Sequence, residues 1–211
     1  NHAVYIREDE VKAYVKELAR SYDTAYRKHA FTTAKGKDIT IDSGFYGWRM
    51  NRSEETEELI NLIKQGAVVE KEPVYIQTAA SHGERDYGDT YVEINLSKQH
   101  LYFWEKGNII IESDFVSGNM VKGMATPGGI FPITYKERNA VLKGTNYRTP
   151  VSYWMPFNGG IGMHDAPWRK QFGGTIYETN GSHGCINLPV DVAREIYEHV
   201  AAGMPVICYY E

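Results

Sequence analysis

Cysteine is scarce, with Cys185 and Cys208 the only two in 211 residues. That excludes a multi-bridge disulfide framework and leaves one Cys185 to Cys208 bridge as the most the chain can close. No apolar run approaches the roughly 18 residues that a membrane helix needs, so no span is expected within the chain. The chain begins Asn1-His2-Ala3-Val4, without a basic and apolar leader. Any targeting segment or membrane anchor is therefore expected upstream of Asn1. Lys and Arg number 23 against 27 Asp and Glu, and the basic residues are scattered rather than striped, so nucleic acid is not an expected partner. Cys-x-x-Cys and His-Glu-x-x-His are both missing, which leaves a zinc site without conventional ligand spacing. Internal repeats and low-complexity segments are absent as well. What remains is a chain with 42% hydrophobic and 24% charged residues, ordinary for a globular protein and long enough for one large or two modest domains.

Val11, Tyr14, Val15, Leu18, Ala19, Tyr22 and Ala25 recur at spacings of three and four, which predicts a helix from Asp9 to about Lys28. A short hairpin is expected over 31–41, around an Ala34-Lys35-Gly36-Lys37 turn. Ser53, followed by Glu54, Glu55, Glu57 and Glu58, reads as the cap and first turn of a second helix that Gly66 ends. The pattern changes after the small and polar stretch 79–89. Beyond it, 91–96, 101–104, 108–112 and 130–135 are short, β-branched and aromatic segments separated by turns. A helix over 191–200 and an apolar strand at 205–210 close the chain. We expect an α+β domain over 1–84 and a mainly β domain over 85–211.

The chemistry is concentrated in two stretches: Ile161-Gly162-Met163-His164-Asp165, and Gly181-Ser182-His183-Gly184-Cys185-Ile186-Asn187-Leu188. A thiol becomes a useful nucleophile when ionised, and a nearby imidazole can take its proton. Gly184 permits the sharp bend that aims successive N–H groups at a developing oxyanion. Cys208, in an apolar strand, reads as core filler. A Cys185 to Cys208 disulfide and a zinc site built from Cys185, His183 and His164 remain as rival readings at this stage. The segment 166–180, with Trp168 and two glycines, is long for a connection and reads as a lid over the site.

His164, seventeen intervening residues and Ser182-His183-Gly184-Cys185-Ile186-Asn187 resemble the signature of the L,D-transpeptidase catalytic domain. The stretch Thr126-Pro127-Gly128-Gly129-Ile130-Phe131-Pro132 resembles a turn and strand of the same family, and 91–96 resembles its opening strand. The resemblance implies a mixed β-sandwich catalytic domain, preceded here by part of a peptidoglycan-associated domain. It implies Cys185 as nucleophile, His164 as base oriented by Asp165, and His183, Ser182 and Gly184 as supporting groups, Ser182 fixing His183. It also implies substrate contacts from Asn187, Met163 and Trp168, no cofactor, and no metal. Implied partners are donor and acceptor stem peptides of peptidoglycan, with carbapenems as inhibitors, on the outer face of the cell membrane or in the wall. An L,D-carboxypeptidase and a non-catalytic wall-binding module are the alternatives.

Overall fold

Val92, Ile94 and Leu96 alternate with Glu93 and Asn95, the period of a strand with two distinct faces. In the computed structural model of the protein, which describes residues 5–144 and 147–211, this strand lies inside a β-sandwich. The first four residues, on which the expectation about a targeting segment rests, fall outside the described part. The chain begins with α1 (Glu8–Tyr22), the hairpin β1 (His29–Thr32) and β2 (Asp38–Ile41), then β3 (Arg49–Met50), α2 (Arg52–Lys64) and β4 (Tyr75–Gln77). It continues through β5 (Tyr91–Asn95), β6 (His100–Glu105), β7 (Asn108–Asp114), β8 (Gly129–Pro132), β9 (Glu137–Gly144), β10 (Tyr147–Asn158) and β11 (Ile161–Asp165). The last elements are α3 (Ile176–Asn180), β12 (Ile186–Leu188), α4 (Val190–His199) and β13 (Pro205–Tyr209). Among the described residues no helix is long and apolar enough to cross a membrane.

The chain divides into two units, Asn1–Ala25 with Gly47–Ala79 and Tyr26–Tyr46 with Ala80–Glu211. It passes between them three times, so a single boundary near residue 85 corresponds only to the last crossing. In the first unit Val15 and Ala19 of α1 pack with Met50, Leu59 and Tyr75. The first helix stops at Tyr22, short of the expected Lys28, because Asp23 turns to an extended conformation and its carboxylate accepts the Met50 N–H at 2.8 Å. Asn51, not Ser53, caps α2: its Oδ1 accepts the Glu54 N–H while its Nδ2 donates to Glu54 Oε2, a reciprocal capping pair.

The second unit is mainly β. Its five-stranded sheet has the order β7-β6-β5-β13-β8 and its four-stranded sheet the order β12-β11-β10-β9. Val92, Ile94, Leu101 and Phe103 from one sheet meet Met155, Phe157, Met163 and Ile186 from the other in a shared core, which Ala193 and Ile196 of α4 close. The β1–β2 hairpin covers the opposite face of the larger sheet, where the Phe31 ring stands edge-on to Tyr87 and Tyr91. Glu93 is buried beneath it. Its carboxylate accepts the Ala34 N–H and the Tyr209 hydroxyl at Oε1 and the Trp104 indole N–H at Oε2, each at 2.8 Å. Burial raises the Glu93 carboxyl above the usual range, while the three donors pull it down.

This arrangement makes Glu93 the polar anchor of the hairpin. Glu93→Ala should cost about 3 kcal/mol in urea unfolding, because it strands several donors away from water. Glu93→Gln, which keeps an acceptor for the Ala34 and Tyr209 donors, should cost about 1 kcal/mol. Equal losses would mean that charge, rather than hydrogen bonding, fastens the hairpin.

Candidate active site

Strand β11 lies between β10, to which it is antiparallel, and β12, to which it is parallel. Parallel register sets Met163 beside Ile186, His164 beside Asn187 and Asp165 beside Leu188. Successive side chains on a strand point to opposite faces. Met163 is fully buried in the inter-sheet core, and its neighbour His164 faces a cavity of about 460 Å³. Met163 therefore does not line that cavity, contrary to the expectation of a substrate contact. Trp168, Arg169, Ser182, His183, Cys185 and Asn187 do line it, and the β9–β10 hairpin adds Leu142, Tyr147 and Thr149 as a further wall.

The imidazole of His164 is buried and bonded at both nitrogens. Its Nδ1 lies 2.8 Å from the backbone oxygen of Asp165, and its Nε2 lies 3.1 Å from Asn187 Nδ2. The Asp165 carboxylate is occupied elsewhere, accepting the Ser152 and Tyr153 N–H groups of β10 at 2.8 Å each. Burial holds the His164 pKa below its ordinary value; the Asp165 hydrogen bond and charge oppose that shift and the Arg169 charge adds to it. Burial likewise pushes the Cys185 thiol up to about 11. The resting pair is thus a neutral thiol and a neutral imidazole. The thiol points to the Gly160 carbonyl oxygen at 3.5 Å.

The turn that carries Cys185 is held from two sides. Ser182 Oγ donates to the Cys185 carbonyl and accepts the Gly184 N–H at 3.0 Å. Ser182 therefore braces the turn instead of fixing His183, and the Gly184 N–H is already engaged. No hydrogen bond among the described residues uses the Cys185 N–H. Gly184 has φ of +121°, a backbone conformation that side-chain-bearing residues rarely adopt. From below, Thr126 Oγ1 donates to the Gly184 carbonyl at 2.7 Å and accepts the Gly118 N–H at 3.0 Å. His183 is exposed and stacks on Tyr147, with ring centroids 4.9 Å apart and planes within 16°. Cys208 lies in the inter-sheet core and both cysteines are free. Among the described residues no group of three or more His, Cys, Asp or Glu is placed to hold a metal ion.

The segment 166–180 is fastened along its length rather than free. Ala166 N–H donates to the Leu188 carbonyl, Gly173 N–H to the Phe115 carbonyl and Val121 N–H to the Glu178 carbonyl, and Asn119 Nδ2 reaches the Thr179 carbonyl. In this structure it forms a wall that presents Trp168 and Arg169 to the cavity. Arg169, Tyr147 and Thr126 were not singled out from sequence as site residues. Thr126 carried a signal, since it opens the Thr-Pro-Gly-Gly stretch, whereas a lone arginine in a loop carries none.

Cys185 and His164 line one cavity on a two-sheet sandwich, residue types suited to acyl transfer through a thiol. The family profile for the L,D-transpeptidase catalytic domain matches residues 89–208, and the chain belongs to that family. A profile for a peptidoglycan binding domain matches residues 1–69. The crystal structure of an Enterococcus faecium L,D-transpeptidase mutant superposes with a TM-score of 0.81 at 35% identity, covering 98% of this chain and 84% of that one. The solution structure of an Enterococcus faecium catalytic domain acylated by ertapenem is 42% identical and covers 58% of this chain and 98% of that one, with a TM-score of 0.53. YciB of Bacillus subtilis is 29% identical over 118 residues, 52% of this chain. The chain spans 60% of the length of YciB and 20% of L,D-transpeptidase 2 of Mycobacterium tuberculosis, the curated relatives that it matches.

Thr126 is the testable support of the Cys185 turn. Thr126→Val keeps the side-chain shape but leaves the Gly184 carbonyl and Gly118 N–H unpaired. It should destabilise the protein by about 2 kcal/mol and slow alkylation of Cys185 by iodoacetamide about tenfold. Alkylation at the wild-type rate in the folded variant would remove Thr126 from this role.

Proposed function

We propose that the protein is a peptidoglycan L,D-transpeptidase that forms three-to-three cross-links through a thioester on Cys185. The observation that carries the reading is the convergence of the Cys185 thiol and the His164 imidazole on one cavity, with His164 Nδ1 tied to a backbone carbonyl. A carbonyl oxygen only accepts, so Nδ1 bears the proton and Nε2 carries the lone pair. Nε2 is then the basic atom.

In the first half-reaction Cys185 Sγ turns from the Gly160 carbonyl, the Asn187 N–H moves off His164 Nε2, and the thiol gives its proton to that nitrogen. Sulfur attacks the carbonyl carbon between the third residue of a tetrapeptide stem and its terminal D-Ala. The Cys185 N–H stabilises the oxyanion, the C–N bond breaks, and the imidazolium protonates the departing amine of D-Ala. In the second, the side-chain amine of a neighbouring stem attacks the thioester carbonyl and passes a proton through His164 to the leaving sulfur. A base is required because a thiol with a pKa of about 11 is scarcely ionised at neutral pH. Trp168 supplies an apolar flank against which a stem peptide packs, and His183 on Tyr147 bounds the site on the side of the β9–β10 hairpin. Asn187 lines the cavity and contacts the base as well, so both a substrate contact and the orientation of His164 fall to its amide. The stretch 1–69, matched by the peptidoglycan binding profile, brings the catalytic unit to its polymer. A protein that acts on such a substrate works outside the cytoplasmic membrane or in the wall.

Three results are expected. Cys185→Ala should abolish cross-linking of a tetrapeptide donor to an amine acceptor, and His164→Ala should reduce it at least a hundredfold with the fold intact by circular dichroism. Retention of a tenth of the rate in Cys185→Ala would discard the nucleophile; release of D-Ala without transfer, at saturating amine, would identify a carboxypeptidase instead. A carbapenem should add its full mass once, on the peptide spanning residues 182–188, and an adduct on Cys208 would contradict the assignment. Because the His164 pKa lies below its ordinary value, the neutral base persists as pH falls through 6.5. Acylation by a carbapenem should accordingly hold its rate from pH 7.5 to 6.5 and decline only in more acidic buffer, as stopped-flow absorbance will report.

A further inference from the structure

We propose that Arg169 is a positioning residue that acts through Asn187 to hold the His164 imidazole in its neutral, Nδ1-protonated form. The inference deepens the reading of His164 as the base. Arg169 Nε donates to Asn187 Oδ1 at 2.7 Å, and its terminal nitrogen donates to the Asn180 carbonyl at 2.9 Å. A guanidinium can only donate, so the oxygen end of the Asn187 amide must face Arg169. The NH₂ end is then compelled to face His164 Nε2, 3.1 Å away. At the other edge of the ring the Asp165 carbonyl can only accept from Nδ1. A four-group chain thus runs from a donor-only cation to an acceptor-only carbonyl, and its internal polarity has one consistent solution.

Protonating His164 breaks that solution. The new Nε2–H would meet an N–H of Asn187. Turning the amide to relieve the conflict would set its NH₂ against the Arg169 Nε–H. Asn187 and His164 are 2% and 3% exposed, so water has little access to repair either mismatch, and a buried donor without an acceptor is expensive. The other titratable groups near the imidazole do not provide an alternative lock. The Asp165 carboxylate is spent on β10 backbone, and Tyr147, His183 and Cys185 line the cavity without a hydrogen bond to the ring. Trp154 and Trp168 flank the imidazole but do not titrate. Arg169 belongs to the wall formed by 166–180, so the crossover segment gains a chemical role from this side chain.

The test is a histidine-nitrogen NMR titration of the full chain, which reads tautomer and protonation midpoint of His164 independently of turnover. Wild type should show protonated Nδ1 and bare Nε2. Arg169→Met frees the amide to turn its oxygen toward Nε2–H, and the His164 midpoint should rise by about one pH unit or more. Loss of a nearby positive charge would act in the same direction, so the same substitution is made in Asn187→Leu. There the Arg169→Met shift should fall to less than half, because the relay is already cut. An unchanged midpoint in Arg169→Met, or equal shifts in both backgrounds, would overturn the proposal. Should Arg169→Met fail to fold, Arg169→Gln takes its place, since its amide keeps a donor for Asn180 without dictating the orientation of Asn187. His164→Ala addresses the base itself: full activity in that variant, beside an intact NMR coupling in the variants that keep His164, would end the base reading and leave the Arg169 relay standing.

Discussion

The parallel pairing of β11 with β12 is the constraint from which the site follows. Without it, His164 and Asn187 have no reason to be neighbours, being separated by 166–180 and the Ser182 to Cys185 turn. Parallel strands cannot be joined by a tight turn; they need a crossover of a dozen or more residues. The length of the connecting segment is thus a topological requirement before it is a functional one. Its residues are used twice, once to return the chain and once to wall the cavity with Trp168 and Arg169. The same pairing sets the alternation that sends Met163 into the core and His164 to the cavity. One register therefore decides which side chains are structural and which are chemical.

Burial does the electrostatic work. It raises the Cys185 thiol and lowers the His164 imidazole, shifts that both disfavour charge. In the reaction proposed above, such a site keeps the thiol protonated until an electrophile is in place and keeps the imidazole ready to receive the proton. Hydrogen-bond polarity supplies the orientation that burial cannot. Arg169 at one end and the Asp165 carbonyl at the other leave Asn187 and His164 a single arrangement. The Ser182 and Thr126 hydroxyls do for the backbone of the Cys185 turn what Arg169 does for the imidazole.

The elements whose side-chain period matches their environment were legible without coordinates. The first helix has one buried stripe, and β5, β6 and β13 are rich in residues that suit a pleated core. Strand β10 was hidden. It contains Pro150 and Pro156, which normally argue against a paired strand. Pro150 lies across from Val141 of β9, and Pro156 lies beside a bulge where pairing with β11 shifts register. Its partner β9 reads as polar and loop-like because most of its side chains are exposed. The β1–β2 hairpin was legible as a hairpin, yet its place in the catalytic unit rests on distant contacts, among them the Phe31 ring against Tyr87 and Tyr91 and the Ala34 N–H on Glu93, a charged residue that periodicity alone assigns to a solvated face.

By itself, the sequence determined the family and singled out Cys185, His164 and His183 as its candidate chemical groups, because spacing around a glycine turn and residue chemistry are local properties. Tertiary structure decided which neighbours those residues have. Arg169 and Asn187 sit 18 residues apart in the chain, and Thr126 and Gly184 sit 58 apart; nothing local predicts either contact. Only strand register, with its period of two, could separate Met163 from His164. And only a donor that cannot accept, placed against an amide that can do both, could settle which way Asn187 points.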